Sequence, residues 1–259
     1  MSEYYENPLC GRYAGDRMKR IFSPDNKFST WRKLWVALAE SEKELGLDIT
    51  DVQIAEMKAH IDDIDYAAAA RYESELRHDV MAHVRTFGDA CPTAKPIIHL
   101  GATSCYVGDN TDIIVMREAL GEVRRRLVNA IAATADFAGK YKDVPTLAYT
   151  HFQAAQPTTL GKRATLWTQD LILDLEHLDF VYDSLKLLGC KGTTGTGASF
   201  LELFDGDKAK VAELEKKIPV VMQKHGFILH SDHSIPKGVT PETLRYFLEK
   251  GKELGTYRD

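Results

Sequence analysis

The chain has 259 residues, 44% of them hydrophobic and 27% charged, with a formal net charge of −5; this balance suits a folded core of one large or two modest domains. The net charge excludes whole-molecule attraction to nucleic acid, although a few local arginines can still hold an anionic small molecule. No apolar run approaches the roughly 20 residues of a membrane span. The acidic start Met1-Ser2-Glu3-Tyr4-Tyr5-Glu6 lacks the basic flank and apolar core of a signal peptide, so a cytoplasmic location without membrane association is expected. Cys10, Cys91, Cys105 and Cys190 lie far apart with no C-x-x-C pair, which argues against a zinc site or a disulfide framework and for reduced thiols.

The elements follow from helical periodicity. Phe28, Trp31, Leu34, Trp35, Leu38 and Leu45 recur at helical spacing, with Ser29 or Thr30 available to cap. Thr50-Asp51-Val52-Gln53 reads as a capping box opening a second helix. A third is expected from Asp65 to Phe87, ended by Pro92 and Pro96. Pro96-Ile97-Ile98-His99-Leu100 is the only short apolar run and reads as an extended connector. A long helix is expected after Asp109-Asn110-Thr111, through Met116, Leu120, Val123, Leu127, Ile131, Thr134, Ala138 and Tyr141; about 30 residues give a rod of roughly 45 Å. A second rod, Thr159 to Leu188, carries Ala164, Trp167, Leu171, Leu175, Leu178, Tyr182 and Leu185 on its expected buried face. Such long stripes imply a bundle shared between subunits.

Several polar clusters could carry chemistry. Tyr149-Thr150-His151-Phe152-Gln153 places an imidazole in a short polar loop before the second rod. Histidine can hold or release a proton near neutral pH, so His151 is either a general acid or base or a satisfied loop histidine. Arg77-His78-Asp79 falls late in the third expected helix; neighbouring helical residues project about 100° apart, so a solvated face is the competing reading. Gly101-Ala102-Thr103-Ser104 begins a run of small and hydroxyl residues that leads into a helix. It either presents donors to a carboxylate or phosphate or serves as a capped turn. The glycine-rich segment Gly189 to Ser199 lacks the P-loop order and no strand precedes it. Arg12-Tyr13 pairs a guanidinium suited to bidentate phosphate recognition with a phenol.

In this order the pieces resemble the fumarase/aspartase superfamily, and within it the adenylosuccinate lyases. The resemblance rests on Arg12-Tyr13-Ala14, Leu76-Arg77-His78-Asp79-Val80-Met81-Ala82-His83, Ile98-His99-Leu100-Gly101-Ala102-Thr103-Ser104, Thr150-His151-Phe152-Gln153, Thr158-Thr159-Leu160-Gly161-Lys162-Arg163 and Gly192-Thr193-Thr194-Gly195-Thr196 with Ala198-Ser199-Phe200, and covers about residues 1–216. It implies a purine-pathway lyase acting by β-elimination without metal or organic cofactor, on adenylosuccinate and on the succinyl-carboxamide ribotide. It further implies His151 as general acid with His78 assisting or orienting, and Arg12 and Tyr13 on the nucleotide phosphate. Arg77 and Asp79 would line the nucleotide site, Thr103 and Ser104 would bind the succinyl carboxylate, and Thr150 would stand beside the acid. The implied partners are an anionic nucleotide substrate and further copies of the chain, a tetramer in relatives.

Two departures accompany the resemblance. Gly197 stands where the family has a substrate-contacting glutamine. The family's serine-base loop finds no match after Phe200, so impaired turnover is expected, the alternative being an inactive helical module that complements other subunits. From Ile218 the sequence instead resembles the C-terminal end of the uroporphyrinogen decarboxylase and corrinoid methyltransferase family, with Gly226-Phe227-Ile228-Leu229, Ser231-Asp232-His233 and a helix start at Thr240-Pro241-Glu242. A turn and a capped helix account for His225, His230 and His233 without a metal. The expected fold is all-α: an N-terminal helical domain over 1–108, part of a long-helix bundle over 109–216, and a foreign-looking α/β-type tail over 217–259.

Overall fold

The computed structural model describes residues 7–217. The readings of the tail beyond Lys217, including His225, His230 and His233, lie outside the described residues. Helices dominate: α1 Asp16–Ile21, α2 Pro24–Glu44, α3 Asp51–Ala59, α4 Tyr66–Leu76, α5 Asp79–Ala90, α6 Ser104–Lys140, α7 Leu160–Ser184, α8 Ala198–Leu203 and α9 Lys208–Lys217, with short helical turns at Leu9–Tyr13 and Lys95–Ile97. One antiparallel pair, β1 Pro145–Thr150 and β2 Gln153–Thr159, interrupts them. No described helix is long and apolar enough to cross a membrane. Two compact units emerge: one takes the chain up to Val115 and again from Lys186, the other is Met116–Leu185.

The first unit is built around α2. Its cap is Ser23, which accepts from the Asn26 amide at 3.2 Å, rather than the expected Ser29 or Thr30, both of which lie inside the helix; Pro24 opens its first turn. Trp31, Leu34, Trp35 and Leu38 are buried against Ile54 and Met57 of α3, Val80 and Phe87 of α5, and Tyr106, Phe200 and Leu214. Arg32 is buried in the same helix. Its Nη1 donates to the carbonyls of His60 and of Asp63, and its guanidinium lies 4.5 Å from the Phe87 centroid, so the charge is met by carbonyl dipoles and an aromatic face. The capping box at α3 forms as expected, with Thr50 and Gln53 satisfying each other's backbone amides.

The second unit is the α6–α7 pair with its hairpin. Thr159 caps α7 by accepting from the Lys162 amide at 3.1 Å. Arg124 grips Asp179 through two bonds of 2.7 and 3.2 Å, and Arg117 donates to the carbonyls of Tyr182 and Leu185. The end of α6 and the start of α7 approach so closely at Gly161 that an added Cβ would lie 2.4 Å from the Ala138 carbonyl oxygen and 2.6 Å from Lys142 Cα.

Four further expectations are corrected. The helix expected from Asp65 to Phe87 is two helices, broken at Arg77 and His78. The long helix begins at Ser104, so Asp109-Asn110-Thr111 lie inside it rather than before it; Asn110 is fully buried, donating to the Gly189 carbonyl at 3.0 Å and accepting from the Leu188 amide at 2.8 Å. The stretch before α7 is a hairpin. Of the expected buried face of α7, only Ala164 is fully buried; Trp167 is 52% exposed, and Leu171, Leu175, Leu178, Tyr182 and Leu185 are half-buried.

Candidate active site

In the first unit the chain turns sharply between α4 and α5. Arg77 takes the left-handed conformation (φ 52°, ψ 39°) and donates its amide to the Glu73 carbonyl at 2.7 Å, closing α4. His78 is the N-cap of α5, its Nδ1 accepting from the Met81 amide at 3.4 Å. That bond occupies Nδ1 and leaves Nε2 as the proton-bearing nitrogen of the neutral ring. Asp79 sits in the first turn of α5, where a carboxylate is favoured by the helix dipole, and accepts from the Val80 amide at 2.7 Å. His78 and Asp79 side chains are both about half exposed, with Nδ1 and Oδ1 3.8 Å apart. The break thus turns three polar residues outward instead of spreading them around a continuous helix.

His99 stands close enough to His78 for the two to interact electrostatically. It has φ 67°, and its Nδ1 accepts from Trp35 Nε1 at 2.9 Å. Burial, with a smaller contribution from His78, pushes the His99 ring down to about 4. The following turn brings Thr103 and Ser104, both half-buried, to the N-terminal end of α6, a location whose amides favour anions. The glycine-rich segment is tied to this turn: Ser199 Oγ donates to the Gly101 carbonyl at 2.6 Å. Arg12 stacks over its neighbour Tyr13 at 5.7 Å on an exposed helical turn. No hydrogen bond or ion pair joins that pair to the other candidate residues among those described.

In the second unit His151 and Phe152 are the two central residues of the hairpin, flanked by the Thr150–Gln153 pair. Both have positive φ, 51° and 60°, the signature of a type I′ turn. The imidazole is exposed at the tip, and Phe152 projects fully into solvent. The register slips between Leu147 and Tyr149, and Arg163 of α7 anchors the hairpin by donating to the Leu147 carbonyl at 2.9 Å. Of the five described non-glycine residues with positive φ, four (Arg77, His99, His151 and Phe152) fall in segments singled out from sequence. Such backbone strain collects at functional sites.

A family profile described as lyase matches residues 16–226. The chain belongs to the lyase family. The matched stretch of this lyase-family chain runs past Lys217, where the sequence reading sets its boundary. Adenylosuccinate lyase of Saccharomyces cerevisiae is 53% identical over 217 residues, covering 83% of this chain and 45% of that protein. The Schistosoma mansoni adenylosuccinate lyase is 49% identical over 226 residues, covering 87% and 46%. The chain therefore spans just under half the length of these relatives. Among solved structures, 3-carboxy-cis,cis-muconate lactonizing enzyme from Pseudomonas putida aligns with a TM-score of 0.71 at 22% identity over 84% of this chain and 50% of that one. Fumarate lyase from Mesorhizobium sp. BNC1 aligns with 0.69 at 22% identity, over 79% and 47%; these two show a shared fold.

Sequence reasoning gave no role to Trp35, His99 or Ser199. His99 lies inside a quoted motif, but neither its positive φ nor its indole partner 64 positions away has a local signature.

Proposed function

We propose that this chain carries part of the active site of an adenylosuccinate lyase: it releases fumarate from adenylosuccinate, leaving AMP, and from the succinyl-carboxamide ribotide of purine biosynthesis. The observation that carries the proposal is His151, an exposed imidazole at the tip of a strained two-residue turn, in a chain 53% identical to a yeast protein of that name. In the β-elimination a base takes a proton from the succinyl Cβ, and the electron pair forms the carbon–carbon double bond of fumarate. The carbon–nitrogen bond breaks, and His151 delivers a proton to the departing nitrogen. His78, about half exposed, assists or orients.

The anionic groups of the substrate need donors fixed in advance. Thr103 and Ser104, at the head of α6, suit a carboxylate; Arg12 and Tyr13 suit the phosphate; Arg77 and Asp79 line the nucleotide; Thr150 stands beside the acid. Gly197 offers no side chain to the ligand, and a lost bond to a charged group weakens binding by about 1.5–3 kcal/mol. The base is assigned to none of the described residues.

A second reading, a helical module that completes the sites of other subunits, is favoured by the exposed apolar side chains of α7, Leu166, Trp167, Leu173, Phe180 and Val181. It supports assembly into the tetramer type of the resemblance. Fumarate release by the chain alone, lost in His151→Ala, supports the enzyme reading. Release only on mixing with a relative lacking its own acid histidine supports the module. Release unaffected by His151→Ala overturns the assignment of the acid.

A further inference from the structure

We infer that Trp35 is a positioning residue for the candidate site: its buried indole N–H holds His99 in the Nε2–H tautomer, so that a neutral donor stands beside His78. Trp35 is 1% exposed in the middle of α2 and has one polar atom, which it directs at His99 Nδ1 over 2.9 Å. The rings meet edge to face at 5.9 Å, and Phe87 stacks on the indole at 6.0 Å. The indole is donor only, so the nitrogen facing it must be the unprotonated one and the proton of the neutral ring resides on Nε2. No described residue bonds to Nε2.

The consequence is an asymmetric pair of imidazoles. In each, Nδ1 is occupied as an acceptor, from the Met81 amide in His78 and from the Trp35 indole in His99. Burial keeps His99 uncharged, while His78 is about half exposed. His78 is the charged or titratable neighbour that acts on His99 among the described residues. A His99 released from the indole would gain a proton more readily, because the bond it loses favours the neutral ring. That would set a positive charge against His78. The positive φ of His99 fits this role, since the backbone is held in a sparsely populated region that aims the ring at the indole.

The effect of Trp35 on elimination rests on the lyase reading above, whereas the tautomer does not, so the two fail separately. The test is long-range proton–nitrogen correlation spectroscopy on the full chain labelled with ¹⁵N-histidine and ¹⁵N-tryptophan, with His99 assigned by the signals missing in His99→Gln. The Nε2–H pattern is expected to persist between about pH 5 and pH 8, with a scalar coupling between the Trp35 and His99 nitrogens across the hydrogen bond. In Trp35→Phe the pattern is expected to become a tautomer mixture with its protonation midpoint raised by about one unit, with helical circular dichroism retained. An Nδ1–H pattern in the parent chain, or an unchanged Nε2–H pattern in a folded Trp35→Phe, would overturn the inference. Should Trp35→Phe not fold, the parent's coupling decides: its absence overturns the assignment.

Discussion

Phe152 shows how a residue unsuited to its place points to function. It occupies a turn position with φ 60° and is fully solvent-exposed, where glycine or asparagine serves the fold better. Phe152→Gly is therefore expected to raise the stability of the hairpin by about 1 kcal/mol, read as a higher melting temperature, without restoring any packing. Glu42 makes the opposite case. It is fully buried near the end of α2, both carboxylate oxygens lack a hydrogen-bond partner, and burial alone raises it to about 9. The folded chain binds a proton there that the unfolded chain has released above about pH 4.5, so stability falls as pH rises toward 9, by up to about 1.4 kcal/mol per pH unit. Glu42→Gln is expected to flatten that slope and to stabilise the protein most at pH 8. Denaturant titrations at pH 6 and pH 8 measure it, and an unchanged slope counts against a buried neutral Glu42.

At the scale of elements, the close approach at Gly161 makes a sharp prediction. The atoms an added Cβ would meet are backbone, so Gly161→Ala forces the start of α7 away from the end of α6 and is expected to cost about 1–3 kcal/mol in a thermal melt. Periodicity made the helices largely legible: α2, α3 with its capping box, and the two rods follow from it, whereas Ser29 and Thr30 lie inside a helix that Ser23 caps, and Asp109-Asn110-Thr111 lie inside one that begins at Ser104. Two features were not. The break at Arg77 and His78 contains neither glycine nor proline, and only the left-handed backbone of Arg77 marks it. The hairpin escaped because His151-Phe152 replaces the usual Asn-Gly type of turn and its strands carry threonine, alanine and proline rather than an alternating apolar face. For the candidate site, the residue types and their order were readable, because imidazoles, guanidinium groups and hydroxyls state their chemistry. What Trp35 contributes was hidden, since a tryptophan at helical spacing reads as core, which it also is.

Across the whole molecule, opposing buried groups set the pH response. His83, stacked on Phe28 at 3.7 Å, and His99 are both held at about 4, mainly by burial. Each is lowered on folding, so its contribution is present above about pH 6.5 and is lost as pH falls toward 4. Glu42 acts in the other direction between about pH 4.5 and 9. Two histidines outweigh one glutamate below about pH 6.5, so stability is expected to peak near neutrality and fall on both sides. The exposed apolar residues of α7 add a second expectation at this scale: the chain self-associates, and Trp167→Glu with Phe180→Glu shifts it toward smaller species in sedimentation velocity. The central claim is that His151 delivers the proton to the leaving nitrogen, and it is tested most directly by fumarate release in a mixed assembly. This chain is combined with a full-length adenylosuccinate lyase whose own acid histidine is replaced by alanine, and co-assembly is verified by size. Release at least about 100-fold above that of the same mixture made with the His151→Ala chain is the expected result; equal rates from the two co-assembled mixtures would contradict it.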